Sequence, residues 1–470
     1  MKNVLDSLVG TYLRKTGNEY RVIHDQMFDF MCCFFGHNDA SVECILRHAD
    51  IRVLNERTQL ESINEHHCKF SIIISKKYER DYFERIKTDL QLGKLTQCFC
   101  NAQMKNDNYR ASFLEVLKSI GNDSVLDCHI IQENMITSCS EGYYDIVEYF
   151  ISTKVDLDKG YSYITPLVAA CCGGNEKVVD LLIDKGCDVN QVDDMERTPL
   201  SAACIRGHRQ IVELLIQKGG DVNQSNGKRT PLTAACTYGN KQIIESLISK
   251  GGVVNQVDGL GRTPLAAACF YGYTKIVQLI LDIRCDVKQV DGISQTPLTA
   301  ACEGGNEGIV HLLMIDNTCD VNQVDGNGKT PLTAACIRGN EQIVKLLIYK
   351  GGDVDQVDGI GQTPLTAACD GGNEKIVNLL IHTGCDVKQV DGNGRTPLTA
   401  AKRKGNQNIV QLIIDKGSDD NKANGKRETH VTAAGRTENK PIEQLKIKEV
   451  GGVNKDDVKW SRRRRKCIIL

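Results

Sequence analysis

Residues 341 to 348 read Glu341-Gln342-Ile343-Val344-Lys345-Leu346-Leu347-Ile348, with apolar residues recurring at helical spacing. Just before them, Leu332-Thr333-Ala334-Ala335-Cys336-Ile337-Arg338 predicts a shorter helix, with small residues on the side that must pack closely. Gly339 is expected to stop this first helix and Asn340 to cap the second, which Gly351-Gly352 ends. Upstream, the Asp-Gly and Asn-Gly steps of Val324-Asp325-Gly326-Asn327-Gly328 supply positive-φ residues for a tight hairpin. Thr330 then caps a helix whose first position is Pro331, where a missing N–H costs nothing. The pattern therefore predicts one unit: hairpin, helix, helix.

That unit recurs. Thr-Pro-Leu stands at Thr165, Thr198, Thr230, Thr263, Thr296, Thr330, Thr363 and Thr396, at intervals of 32 to 34 residues, and holds eight of the 9 prolines; the ninth is Pro441. A period of this length means stacked supersecondary units sharing a continuous core, a surface for gripping rather than a single catalytic cavity. In length, element order and the motif Asp-Gly-x-Gly-x-Thr-Pro-Leu-x-x-Ala, residues 165 to 417 resemble the ankyrin repeat. The position after Leu, usually His in that family, is mostly Thr here (Thr233, Thr299, Thr333, Thr366, Thr399), so a hydroxyl is expected to replace the His link to the hairpin. Two degenerate units flank the regular ones, one at Glu133 to Ile151 and one starting at Thr429. Both read as caps with a polar outer face, giving about ten units.

Residues 1 to about 125 have another texture: no proline, little glycine and most of the aromatics. Val4 to Val9 predicts a short helix, Tyr20-Arg21-Val22-Ile23 a strand, and His24 to Met31 a helix with an apolar stripe. Ile23-His24-Asp25 followed by this helix resembles the Met-His-Asp motif that closes the winged-helix part of STAND-type signalling NTPases. The resemblance implies that His24 would read a nucleotide phosphate. The Walker segments of that family precede the motif, and this sequence starts after them. Read without the resemblance, the segment is a helical cap on the solenoid and His24 an ordinary capping residue.

Composition fits a solenoid. The net charge of −2 gives no overall attraction for nucleic acid, and no signal peptide or run of 18 apolar residues is present. Of the 21 cysteines, Cys171, Cys204, Cys236, Cys269, Cys302, Cys336 and Cys369 fill one repeat position, while Cys187, Cys285, Cys319 and Cys385 fill another in alternation with Gly220 and Gly352. Neighbouring units lie about 8–10 Å apart, too far for disulfide or zinc geometry. They read as reduced thiols serving as small core residues.

Other chemistry is weaker. Gly328-Lys329-Thr330 resembles the end of a phosphate loop, but the required upstream glycine is Gln323. Asp193, Asp258, Asp291, Asp325, Asp358 and Asp391 form a ladder, with too few oxygens per hairpin for calcium; they read as solvated turn residues. His66-His67-Cys68 with Cys98 and Cys100 matches no standard zinc spacing. No cofactor and no metal are expected, and no catalytic constellation is in frame.

The last ten residues are informative: Ser461, four arginines from Arg462 to Arg465 (Arg462, Arg463, Arg464, Arg465), Lys466, then Cys467-Ile468-Ile469-Leu470. A Cys, two aliphatics and a terminal Leu form a geranylgeranylation signal, with the adjoining cations as the second membrane signal. The same cations also fit a nuclear localisation signal or an idle charge run.

The ankyrin resemblance implies partner proteins bound along the concave face made by hairpin tips and first helices. The pair after the core Cys varies most between near-identical units: Ile205-Arg206, Thr237-Tyr238, Phe270-Tyr271, Glu303-Gly304, Ile337-Arg338, Asp370-Gly371, Arg403-Lys404. Packing dictates the repeated positions and is expected to leave these free. Arg206, Tyr238, Phe270, Tyr271 and Arg338 are the candidate partner-binding residues, since aromatic and Arg side chains are the usual anchors. The expectation is a mainly α chain: a winged-helix-like segment over 1–125, an ankyrin array over 126–452 and a flexible tail over 453–470. It would serve as a non-catalytic scaffold on the cytosolic face of a membrane. The alternatives are a soluble or nuclear adaptor and a signalling-NTPase fragment regulating a longer relative.

Overall fold

The computed structural model describes residues 13–16, 19–22, 39–63, 72–120, 128–153, 155–158, 160–224, 228–283, 285–289, 295–315 and 319–424. His24 and its helix, the Val4–Val9 helix, the His66–Cys68 cluster, Asp291, the unit from Thr429, and the tail with Arg462 to Lys466 and Cys467 lie outside them. The chain divides into two compact units, Met1–Gly352 and Asp353–Leu470.

In the first unit, a short antiparallel pair, Leu13–Thr16 with Glu19–Val22, falls where a strand from Tyr20 is expected. Helices Glu79–Gln91 and Asp107–Ile120 then build a buried polar and aromatic knot. The hydroxyls of Tyr82 and Tyr109 lie 3.1 Å apart, and Asn101 Nδ2 donates to them at 2.8 and 3.0 Å, so each buried polar atom has a partner. Phe99 packs against Phe113 and also against Phe150, at 6.0 Å between ring centroids. Phe150 belongs to Tyr144–Ser152, which with Cys128–Glu141 forms the helix pair just before the first Thr-Pro-Leu. Arg110 fastens the same junction, donating to Asp145 and the Met104 carbonyl and stacking over Tyr143.

From Thr165 onward, each first helix starts at the motif proline: Pro166–Gly173, Pro199–Arg206, Pro231–Tyr238, Pro264–Tyr271, Pro297–Gly304 and Pro331–Arg338. The second unit adds Pro364–Gly371 and Pro397–Lys404. Within each unit, successive first helices pack on one another and on their own second helices. The local signals act as expected at Thr330, whose hydroxyl accepts from Thr333 N at 3.1 Å, and at Gly339, which closes the helix at φ 80°.

Four expectations need correction. The Thr that replaces the family's His does not reach the hairpin: Thr333 Oγ1 accepts from Thr330 N and donates to Thr330 O, both at 3.0 Å, completing a capping box. Asn340 occupies the start of its helix but makes no side-chain cap there; its Nδ2 donates to Cys302 O in the preceding repeat at 3.1 Å. Asn240 and Asn306 bridge repeats the same way, to Cys204 O and Cys269 O. In the hairpin, Gly328 alone of the two glycines takes a positive φ, 81°, because Asp325 to Gly328 form a single turn closed by Gly328 N to Asp325 O. Finally, the last regular unit extends beyond residue 417, where the sequence resemblance ends: its second helix runs from Gln407 to Asn424.

The core lies between the two helix rows. Leu, Ala, Ala and Cys of the first helices from Pro166–Gly173 to Pro364–Gly371 are shut from solvent, with Cys204, Cys236, Cys269, Cys302, Cys336 and Cys369 fully buried; in Pro397–Lys404 Leu398 is half-buried and an exposed Lys402 stands at the Cys position. Burial raises the thiols of Cys204, Cys236, Cys269, Cys302 and Cys369; Cys369 is pushed up to about 12, the neighbouring Asp370 adding to it. Cys285 and Cys319, at the other repeat position, are only partly covered.

Candidate interaction face

The ends of the first helices and the hairpins before them carry the variable residues. Arg206, Tyr238, Tyr271 and Arg338 are exposed, Tyr238 at 47% and Tyr271 at 43%. Phe270 is half-buried, and two other members of the variable pairs are fixed by packing. Thr237 is buried and donates to Thr233 O at 2.8 Å. Gly304 approaches the first helix of the preceding repeat so closely that a Cβ there would lie 2.1 Å from Phe270 O. The freedom inferred for these pairs therefore belongs to some members only.

The hairpin aspartates overturn the expectation of solvated turn residues. Asp193, Asp258, Asp325, Asp358 and Asp391 are all buried. In each, Oδ1 accepts two backbone N–H groups of its own turn; for Asp325 these are Asn327 N at 2.9 Å and Lys329 N at 2.8 Å. Burial raises the carboxyls of Asp258 and Asp325, while those backbone donors pull the other way.

What happens to Oδ2 depends on the residue just before Thr-Pro-Leu. Arg197 closes onto Asp193, and Arg395 onto Asp391, at 2.7–2.9 Å. Arg262 does not. It lies over the Phe270 ring, 5.9 Å from its centroid, and Asp258 Oδ2 stays buried without a partner. One repeat earlier, Arg229 stacks over Tyr238 at 5.6 Å. Where the variable residue is acidic, the cation before the next Thr-Pro-Leu reaches it: Lys329 donates to Glu303 at 2.7 Å, and in the second unit Arg395 holds Asp370 as well as Asp391, with Arg403 also on Asp370.

Aromatic residues gather around Phe270. Its ring meets Tyr271 edge-on at 5.1 Å, and Tyr271 stacks with Tyr273 at 6.5 Å. Tyr273 stands where other repeats have the bridging Asn and lies over Gly239, next to Tyr238. Beside Phe270 a cleft of about 160 Å³ opens, lined by Leu260, Arg262, Ala266, Gln295 and Asn327. Sequence reasoning missed Arg229, Arg262 and Tyr273. The first two stand at a position filled by Arg in four of the eight repeats and by Ile, Gln or Lys in the others, and that repeated cation was the signal available.

The second-repeat geometry matches what the comparisons find. A family model described as "Ankyrin repeats (3 copies)" matches residues 135–226, 223–291, 283–358 and 339–424, together more than half of the chain. No curated protein matches. Among solved structures, the human ASB11 ankyrin repeat domain is similar at 27% identity, covering 46% of this chain and 98% of that one, with a TM-score of 0.41. Repeat length, hairpin–helix–helix order and the family match agree, and the chain belongs to the ankyrin-repeat family.

Proposed function

We propose that this protein is a non-catalytic scaffold that binds partner proteins through its hairpins and first helices and is held at the cytosolic face of a membrane by its tail. One observation carries the first half: on a frame whose buried residues hardly change, exposed Arg206, Tyr238, Tyr271 and Arg338 differ from repeat to repeat. Large aromatic and Arg side chains standing free at such positions are the residue types that dominate binding energy. Affinity capture on the purified chain, followed by mass spectrometry, tests it. A specific partner should be retained, and Tyr238→Ala with Tyr271→Ala should release it while the helical content stays the same. A partner retained equally by that variant, or none retained at all, would overturn the reading.

The tail reading rests on Cys467-Ile468-Ile469-Leu470 behind Arg462 to Lys466. A buried lipid contributes about 0.8 kcal/mol per CH₂ and an anionic leaflet about 1 kcal/mol per cation, so the two signals together anchor what either alone holds reversibly. Cys467→Ser should move the protein from membrane to cytosol in a eukaryotic cell. Arg462 to Arg465 changed to Gln should leave the lipid on but let salt strip the protein. The cation run also supports a nuclear reading, under which Cys467→Ser changes nothing and loss of the arginines blocks nuclear entry. An intact mass ending in unmodified Ile-Ile-Leu excludes the anchor.

A further inference from the structure

The cations of the interaction face are unevenly placed. Across three consecutive repeats, the stretches 198–206, 224–238 and 256–271 carry Arg206, Lys228, Arg229 and Arg262 against a single carboxylate, Asp258, which is buried with 5% exposure. Among the described residues, Arg206, Arg229 and Arg262 have no ion-pair partner. The acids nearby are few: Asp194 and Glu196 are exposed in the hairpin before Arg206, the Glu196 carbonyl accepting from Lys228 N at 3.3 Å, and Glu303 is mostly covered and held by Lys329 and Gln295. Asp221 lies in the loop before the second of these stretches.

Arg229 and Arg262 are also held in a particular way. Each guanidinium rests on a ring, Tyr238 or Phe270. Neither guanidinium makes an ion pair or a side-chain hydrogen bond among the described residues, so its planar fork of N–H donors is available to take a carboxylate bidentately. A repeat that needed the cation for itself would use it as Arg197 and Arg395 are used, on their own aspartates. Here two adjacent repeats leave it presented.

We infer that this stretch of the face binds an extended acidic protein segment, with a carboxylate on Arg229, a second on Arg262, and a side chain in the cleft beside Phe270. The inference deepens the scaffold reading and rests on it. Spacing sharpens it. Adjacent repeats lie about 10 Å apart, and a polyproline-II-like extended chain has three residues per turn and rises about 3.1 Å per residue, so carboxylates three residues apart fall on one face about 9 Å apart. A protein segment is favoured over nucleic acid for two reasons. The whole chain carries −2 rather than an excess of cations, and the cleft between Leu260, Ala266 and Phe270 suits a side chain of one amino acid.

Fluorescence anisotropy with the full chain tests this. The probe is a labelled synthetic peptide with Glu at every third position and Leu and Ala between. It should bind, and added salt should weaken it. Replacing each Glu by Gln should lower affinity at least about ten-fold, and Arg229→Gln or Arg262→Gln about ten-fold each, with unchanged circular dichroism. Arg262→Lys guards against a folding artefact: it keeps the charge but loses the fork, and should still weaken binding. Equal binding of the Glu and Gln peptides would overturn the inference. So would a phosphoserine peptide or single-stranded oligonucleotide that binds where the Glu peptide does not. If a captured partner depends on Tyr238 and Tyr271 but ignores both arginines, the acidic-segment inference falls while the scaffold stands. If the peptide binds as expected but no partner is captured, the scaffold reading falls, and the assignment of this site to a partner protein falls with it.

Discussion

The hairpins at Asp193 and Asp258 have the same backbone and a different use for one arginine. In both, the aspartate N–H donates to the carbonyl four residues on at 3.0 Å, and Oδ1 takes the N–H groups of the second and fourth residues beyond it. At the first, Arg197 closes the free carboxylate oxygen; at the second, Arg262 leaves it bare and covers Phe270. The difference teaches that the frame does not need the cation. Two backbone donors hold a buried aspartate in place, and the residue before the cap is released for the surface.

The comparison can be broken at the aspartates. Asp193→Ala should cost about 3 kcal/mol, because it strands both the turn N–H groups and Arg197. Asp258→Ala should cost about 2 kcal/mol, because only the N–H groups are stranded. Urea unfolding measures both, and equal losses would mean that Arg197 adds nothing.

Asparagine sharpens it further. Asp193→Asn keeps the Oδ1 acceptor but loses the ion pair, and should destabilise by about 1.5 kcal/mol. Asp258→Asn removes a buried, unpartnered anionic oxygen and should leave stability within about 0.5 kcal/mol of the parent, or raise it. The two substitutions should thus separate in the same melting experiment.

Phe270 and its exposed neighbours form a smaller contrast. Phe270→Ala removes a half-buried ring and the seat of Arg262, and should cost about 1.5 kcal/mol. Tyr238→Ala and Tyr271→Ala, at exposed positions, should each stay within about 0.5 kcal/mol. Thermal melts distinguish them, and a large loss at Tyr271 would place that ring in the core.

The smallest effect is in pH. The Asp258 carboxyl is raised above its ordinary value of 3.8, so the folded state holds the proton more tightly than the unfolded one. Its contribution is then fully present below 3.8 and is lost as pH rises through the raised folded value. Melting temperatures of Asp258→Asn and the parent, compared across that window, should shift in favour of the variant as pH rises.

Much of the fold was legible because its signals are local. Thr330, Pro331 and Gly339 act within their own turn of chain, and they do what their chemistry dictates. The fully buried cysteines were legible too, since a position filled identically in seven repeats is one that packing fixes. The candidate face was legible only in part. Arg206, Tyr238, Tyr271 and Arg338 are exposed as expected, but Gly304 and Thr237 vary for reasons of packing, and Arg229 and Arg262 were passed over as hairpin residues.

Sequence by itself determined the repeat, its length, its caps and the composition of its core, because each of those follows from interactions between residues a few positions apart. Tertiary structure alone decided the rest. Asn340 bridges to a carbonyl 38 residues away instead of capping its own helix, and the hairpin aspartates are buried only once neighbouring repeats close over them. Whether an arginine clasps its own aspartate or lies on a ring depends on which side chain stands at the end of the first helix. One repeat's sequence holds all of these residues, but only the folded hairpin and helix bring positions eight or nine apart together and settle which of them the guanidinium meets.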